Sequence, residues 1–447
     1  MLLNIILFLT QIHLFLFEII IPFTTIKENF TSDAPSTIMY FYFPNKIETI
    51  IKIGTPSQEI PLRIKTLRSP ISINSVQMGT FNVIIFNESN SSTYIPISDG
   101  PRYFGENDFT NAIQSKDIIS FNNNKLILNN FTFLLGVLDN YYYKEGGVLG
   151  LNIAEFDWRI KDADFIKQLK ERNLIKNYNF FIDYNNNENG NIIIDALPHE
   201  IYPNKYDKNK YEEFYAEIIS SSLGLKVNEA YYGDTLFDCE FQVQLAVEQN
   251  FIRGSPALKT VLFDNFFKEK ITRKICQSSI FSYLDSESKD FFYCNKKLNL
   301  SEFKNIYLSL NNSALKIELT YKDLFYEYND NYYFMIYFPQ QTYSYYFILG
   351  KTFFQKYTIT FNHDTKMIGY YKEDNTDKFD DEENNGNYEN NKKENYYLIP
   401  WIIIGILLII IILLSFYIIY YKPYKNRAKR ANESQDDNYS YKEINDD

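Results

Sequence analysis

The stretch "IKIGTPSQEIPLRIKTLRSPISI" (residues 51–73) decides how the chain is read. Apolar residues alternate at Ile51 and Ile53, at Ile60, Leu62 and Ile64, and again at Ile71 and Ile73. That spacing predicts half-buried strands around a Gly-Thr-Pro turn. Lys65 stands where the second run turns into "TLRSP". Lysine is depleted in strands and rarely buried without a partner, so its position needs a reason.

Outward from this stretch, the 447 residues allow one large or two ordinary domains. Hydrophobic residues make up 45% and the formal net charge is −11, as in a soluble globular body. That balance leaves no basic stripe to neutralise phosphates, so nucleic acid is not expected as a partner. Both ends point to membranes. Residues 2–23 are predominantly apolar, with Glu18 and His13 as the titratable residues inside the run, and they predict a signal peptide over 1–24, or an uncleaved signal anchor. Residues 398–421, "LIPWIIIGILLIIIILLSFYIIYY", are uncharged and long enough to cross a bilayer as a helix. "KPYKNRAKR" follows directly, so a cytosolic tail over 422–447 and a lumenal or extracellular body are expected, as in a single-pass type I protein of the secretory pathway or cell surface. Trp401, Tyr420 and Tyr421 suit the interfacial belts.

Sequons at Asn29, Asn87, Asn90, Asn130, Asn299 and Asn311 all fall on the proposed lumenal side, which predicts a glycoprotein. Cys276 and Cys294 lie close enough in sequence for a local disulfide, leaving Cys239 over. In the tail, "YKEI" places Tyr441 and Ile444 in a Tyr-x-x-hydrophobic pattern that vesicle adaptors read.

Between the ends, strand-like runs dominate, among them "NVIIF", "NIIID", "FQVQLAV" and "KYTITFN". Two helices are predicted. One is "DADFIKQLKERNLI" (162–175); the other is "SPALKTVLFDNFFKEKI" (255–271), with Ser255 as N-cap and Pro256 in its first turn. Residues 373–397 are acidic and Asn-rich and read as a disordered stalk.

Three segments together resemble the pepsin-like aspartic proteases (peptidase A1). They are "IKIGTPSQEI", the stretch from "KEGGVLGLN" through "NIII" (144–194), and "YFILGKTFFQKYTITFNHDTKMIGYY" (346–371). The resemblance implies a mainly β, bilobal fold with lobes over 25–204 and 205–372. Such enzymes need two carboxylates, one per lobe, sharing a proton and activating a water. Each sits in an Asp-Thr-Gly or Asp-Ser-Gly turn. A gap-free match puts Lys65 at the first aspartate and Leu67 at the glycine. In the second lobe, counting back from Pro256 puts Val247 at the aspartate, or Glu248 after a one-residue slip; Asp234-Thr235 is a competing pair. "RYFGENDFTN" (102–111) matches the flap, with Phe104 or Tyr103 at its tyrosine and Gly105 after it. No cofactor or metal is expected, and neither His199 nor His363 belongs to a catalytic pattern. The resemblance therefore implies an inactive protein whose interlobe cleft binds a peptide or protein. An active membrane-anchored endopeptidase and a structural or adhesive glycoprotein are the alternatives.

Overall fold

The computed structural model describes residues 18–26, 34–39, 46–68, 70–75, 84–98, 112–121, 126–136, 146–153, 161–186, 188–219, 222–282, 288–311, 313, 315–340 and 347–372. The flap residues Phe104 and Gly105, Asn29, the stalk, the 398–421 segment and the tail with Tyr441 and Ile444 lie outside them. Among the described residues no helix is long and apolar enough to cross a membrane.

The alternation in residues 46–65 becomes an antiparallel pair, Lys46–Ile53 with Gln58–Lys65, in register Ile51↔Ile60 and Thr49↔Leu62. Ile51, Ile53, Ile60, Leu62 and Ile64 are fully buried, while Arg63 and Lys65 stand on the opposite face. Gly54 turns the chain at φ +83°, and a Cβ there would lie 2.7 Å from the Ser91 hydroxyl. Only glycine meets both demands at low cost.

Among the described residues the strands form two large sheets, so the fold is mainly β with few helices. The first has thirteen strands and holds the 46–65 pair near its middle. It does not stop at residue 204. Strands Tyr211–Tyr215, Thr360–Asn362 and Met367–Tyr371 extend it beyond Asn179–Tyr184, with Thr360 opposite Phe181. The second sheet, of twelve strands, is built from residues 217–349. Both predicted helices are present with their caps. Asp164 accepts from the Lys167 N–H ahead of helix Phe165–Glu171, and Ser255 from the Leu258 N–H ahead of Pro256–Leu262.

Strand Ile19–Ile26 pairs with Asn189–Ile194 on one side and Lys46–Ile53 on the other. It overlaps the expected 1–24 signal segment at residues 19–24, and Ile21 and Phe23 point into the core. A run apolar enough to read as a leader is here an alternating strand.

Between this strand and the next, residues 34–39 leave the first sheet altogether. They form a single turn, Pro35–Thr37, followed by Ile38 (1% exposed) and Met39 (0%). Both side chains are buried in an aromatic cluster of the second sheet made by Phe251, Phe281, Phe291, Tyr333, Met335 and Tyr337. Burying each stabilises the contact by roughly 1.5–3 kcal/mol.

Cys276 and Cys294 face each other in the antiparallel pair Cys276–Ser282 with Ser288–Asn295 and form the disulfide; Cys239 is free and exposed. For a loop of 18 residues, replacing both cysteines with alanine should lower unfolding stability by about 3 kcal/mol. Urea denaturation measures this, and an unchanged midpoint would refute it.

His363 begins the turn between Thr360–Asn362 and Met367–Tyr371. Its ring stacks on Phe180 at 6.0 Å, and its main-chain N–H donates to the Tyr178 carbonyl oxygen (2.8 Å). Burial pulls its pKa from 6.5 down to about 4, against a smaller upward pull from Asp364. The folded chain thus keeps a neutral imidazole where the unfolded chain binds a proton. Its contribution is intact above pH 6.5 and declines as the pH falls to about 4, by about 3 kcal/mol. His363→Gln should therefore lose less stability than the parent between pH 7 and 4.5. Equal losses in paired urea titrations would contradict the assignment.

Candidate functional site

The two sheets repeat one arrangement of short strands. In the first, Gln58–Lys65 runs parallel to Gly147–Gly150, with Ile64 opposite Leu149 and Lys65 opposite Gly150. After a turn the chain returns as Ile71–Asn74, antiparallel to the same short strand, with Ser72 opposite Val148. In the second, Thr235–Leu245 runs parallel to Phe347–Leu349, with Leu245 opposite Leu349. After its turn the chain returns as Ile252–Arg253, with Arg253 opposite Ile348.

"VLGL" (148–151) and "ILGK" (348–351) are the matching central strands. Aligned on them, Ile64 corresponds to Leu245 and Ser72 to Arg253. Both correspondences give the same answer for the turn: Lys65 is equivalent to Ala246, Thr66 to Val247 and Leu67 to Glu248. The backbone agrees, because Ala246 N donates to Leu349 O (3.0 Å) as the chain enters the second turn. Gly350 allows this seating, since a Cβ there would stand 2.1 Å from the Gln249 carbonyl oxygen.

The sequence profile of the family described as "Eukaryotic aspartyl protease" matches residues 47–372. The chain belongs to that family. No curated protein matches it.

In this aspartyl protease relative the register makes Ala246, one residue before Val247, the equivalent of Lys65. The count from Pro256 ran through the 254–256 connection, whose length the strand pairing does not determine. The competing Asp234-Thr235 sits in an exposed hairpin turn, at the far end of the Thr235–Leu245 strand from the site. Lys65 is half-buried at the last position of its strand, and its carbonyl oxygen accepts from Leu151 N (2.9 Å).

The two turns touch. Thr66 Oγ1 accepts from Val247 N (3.1 Å), and its proton can go to Leu245 O (3.1 Å) or to Glu248 Oε2 (2.9 Å). The Glu248 carboxylate also takes two consecutive main-chain donors, Thr66 N on Oε2 (3.0 Å) and Leu67 N on Oε1 (3.2 Å). Arg63 Nη2 donates to the Glu248 carbonyl oxygen at 3.4 Å. Glu248 is the one acid in either turn, and both of its oxygens accept hydrogen bonds from the opposite turn. It latches the sheets together. The sequence pointed to Glu248 as a stand-in aspartate; its contacts are those of a brace.

Of the sequons, Asn90, Asn130, Asn299 and Asn311 are exposed. Asn87 is half-buried, its side chain capping Glu88–Asn90 by accepting from Ser89 N (3.2 Å). Among the described residues no group of three His, Cys, Asp or Glu side chains is arranged to hold a metal.

Glu248→Ala leaves the Thr66 and Leu67 N–H groups without this acceptor, and Thr66→Val removes the acceptor of Val247 N. Each should cost about 1–3 kcal/mol. Because the residues share one network, the double variant should lose clearly less than the sum. Additive losses in a denaturation cycle would show that no latch exists.

Proposed function

We propose that this family member is catalytically silent and works as a binding protein, taking a peptide or protein segment into the cleft between its sheets. One observation carries the reading. On the repeated register, the turn positions where aspartic proteolysis would require carboxylates correspond to Lys65 and Ala246. General acid–base attack on a peptide needs one carboxylate as base and a second to hold the shared proton. Lysine brings a cation and alanine nothing, and Glu248 has its oxygens engaged in the latch.

The wider setting we propose follows from the sequence. The body faces the lumen or the outside, tethered by residues 398–421, with glycans at Asn90, Asn130, Asn299 and Asn311 as the best exposed acceptors. A tail read by vesicle adaptors through Tyr441 and Ile444 would direct its traffic. The competing reading, an active endopeptidase, needs a carboxylate pair elsewhere.

The test is an assay of the purified full-length chain on a mixed peptide library from about pH 3 to 7, the range in which coupled carboxylates titrate. No cleavage is expected, nor any from Lys65→Asp alone, which supplies one carboxylate and leaves Ala246 and Leu67 in place. Cleavage by the parent chain that an aspartic-protease inhibitor abolishes would overturn the reading.

A further inference from the structure

We propose that the aromatic pocket of the second sheet is a binding site for an aliphatic peptide segment, and that residues 34–39 of the same chain are its resident, displaceable ligand. The proposal goes beyond the cleft reading and does not depend on it.

Topology is the first support. The strands on either side of the segment, Ile19–Ile26 and Lys46–Ile53, both lie in the first sheet and pair with each other. Residues 34–39 nevertheless sit on the second sheet, against strand Cys276–Ser282. The chain thus makes an excursion from one sheet to the other and back, although its two ends are already joined by strand pairing. No strand in residues 34–39 extends the second sheet. Among the described residues, the side chains of this segment buried there are two neighbours, Ile38 and Met39, while Ala34 is exposed and residues 35–37 are half-buried. That is how a short linear peptide is held, by adjacent anchors in a pocket.

Among the described residues, the walls of the pocket also contact one another. Phe251 meets Phe281 at 6.2 Å and Tyr337 edge-on at 6.2 Å; Phe281 meets Phe291 at 5.7 Å and Tyr337 at 6.1 Å. The Lys289 ammonium lies 6.0 Å from the Phe281 ring and 5.7 Å from that of Tyr337. These walls come from the second sheet and the residue leading into it, and they support one another by edge-to-face contacts. They should keep their shape when Ile38 and Met39 leave. A thioether also adapts readily to an irregular aromatic wall, which suits a ligand that exchanges. Phe251 lies three residues beyond Glu248, within about 11 Å along the chain, so the pocket adjoins the latch between the sheets.

A ligand tethered at both ends acts at an effective concentration on the order of mM. It therefore masks the pocket from competitors present at lower concentration. Releasing it should expose the site.

The probe is a fluorescein-labelled peptide of residues 31–42, "TSDAPSTIMYFY", titrated by anisotropy into the full-length parent and into an Ile38→Ser/Met39→Ser variant. The variant should bind the peptide about ten-fold or more tightly than the parent does. A peptide carrying serine at both anchor positions should bind neither. Equal affinity for the two proteins, or no binding to the folded variant, would overturn the proposal while leaving the cleft reading untouched. Should the variant fail to fold, the parent chain answers through Met39, which is buried at 0% exposure. Its oxidation by dilute peroxide, followed by mass spectrometry, should accelerate when unlabelled peptide is added in excess. An unchanged rate would likewise overturn it.

Discussion

The contact between the 65–67 and 246–248 turns governs what the rest of the molecule can do. Each turn ends a strand that is buried against a short central strand, so its main-chain groups meet the other turn with little water to satisfy them. Thr66 meets part of this demand with one hydroxyl, accepting from Val247 N and facing Leu245 O. Glu248 meets the rest with a carboxylate that takes two N–H groups in succession. An ionised acceptor forms stronger hydrogen bonds than a neutral one. The junction is therefore held by a side chain from the second turn, at the residue matching Leu67 in the first.

That arrangement bears on chemistry as well as stability. A pair of aspartates at Lys65 and Ala246 would have to share a proton across this junction, because two adjacent like charges cannot both ionise cheaply. Here the acid lies two residues beyond Ala246, bonded to backbone donors. With no like-charge pair to hold together, the junction is free to act as a plain structural contact. The strand geometry on either side of the junction repeats in two parallel seatings, Lys65 on Gly150 and Leu245 on Leu349.

Much of this was legible in the residues, and the exceptions share a cause. Lys65 could be placed because an uninterrupted strand pair leads to it from Gly54, and alternation leaves no room for a slip. The start of the second helix was legible because Ser255 caps it locally, whereas the first helix begins at Phe165, three residues after the expected Asp162, with Asp164 as its cap. The equivalence of Ala246 to Lys65 was not legible because the nearest landmark, Pro256, lies across an irregular connection. The Glu248 latch joins residues about 180 positions apart, and no local pattern encodes such a bond. Ile38 and Met39 carry no periodicity; the partners that bury them are more than 200 positions away in the sequence. Strand Ile19–Ile26 was hidden by its apolar flank, since a run of isoleucines fits a leader and a buried strand equally well.

The order of strands in the first sheet has a bearing on how the chain is born. Asn179–Tyr184 receives its outer neighbour, Thr360–Asn362, from almost the end of the folded body, and Met367–Tyr371 and Tyr211–Tyr215 attach only after that. A ribosome adding 5–20 residues per second leaves that edge uncovered for about 10–40 s. During that interval the open edge is a template for a stray strand from another chain. The sheet that carries Lys65 is thus among the first parts synthesised and among the last completed. Its safe assembly rests on whatever shields the growing chain until residue 371 emerges.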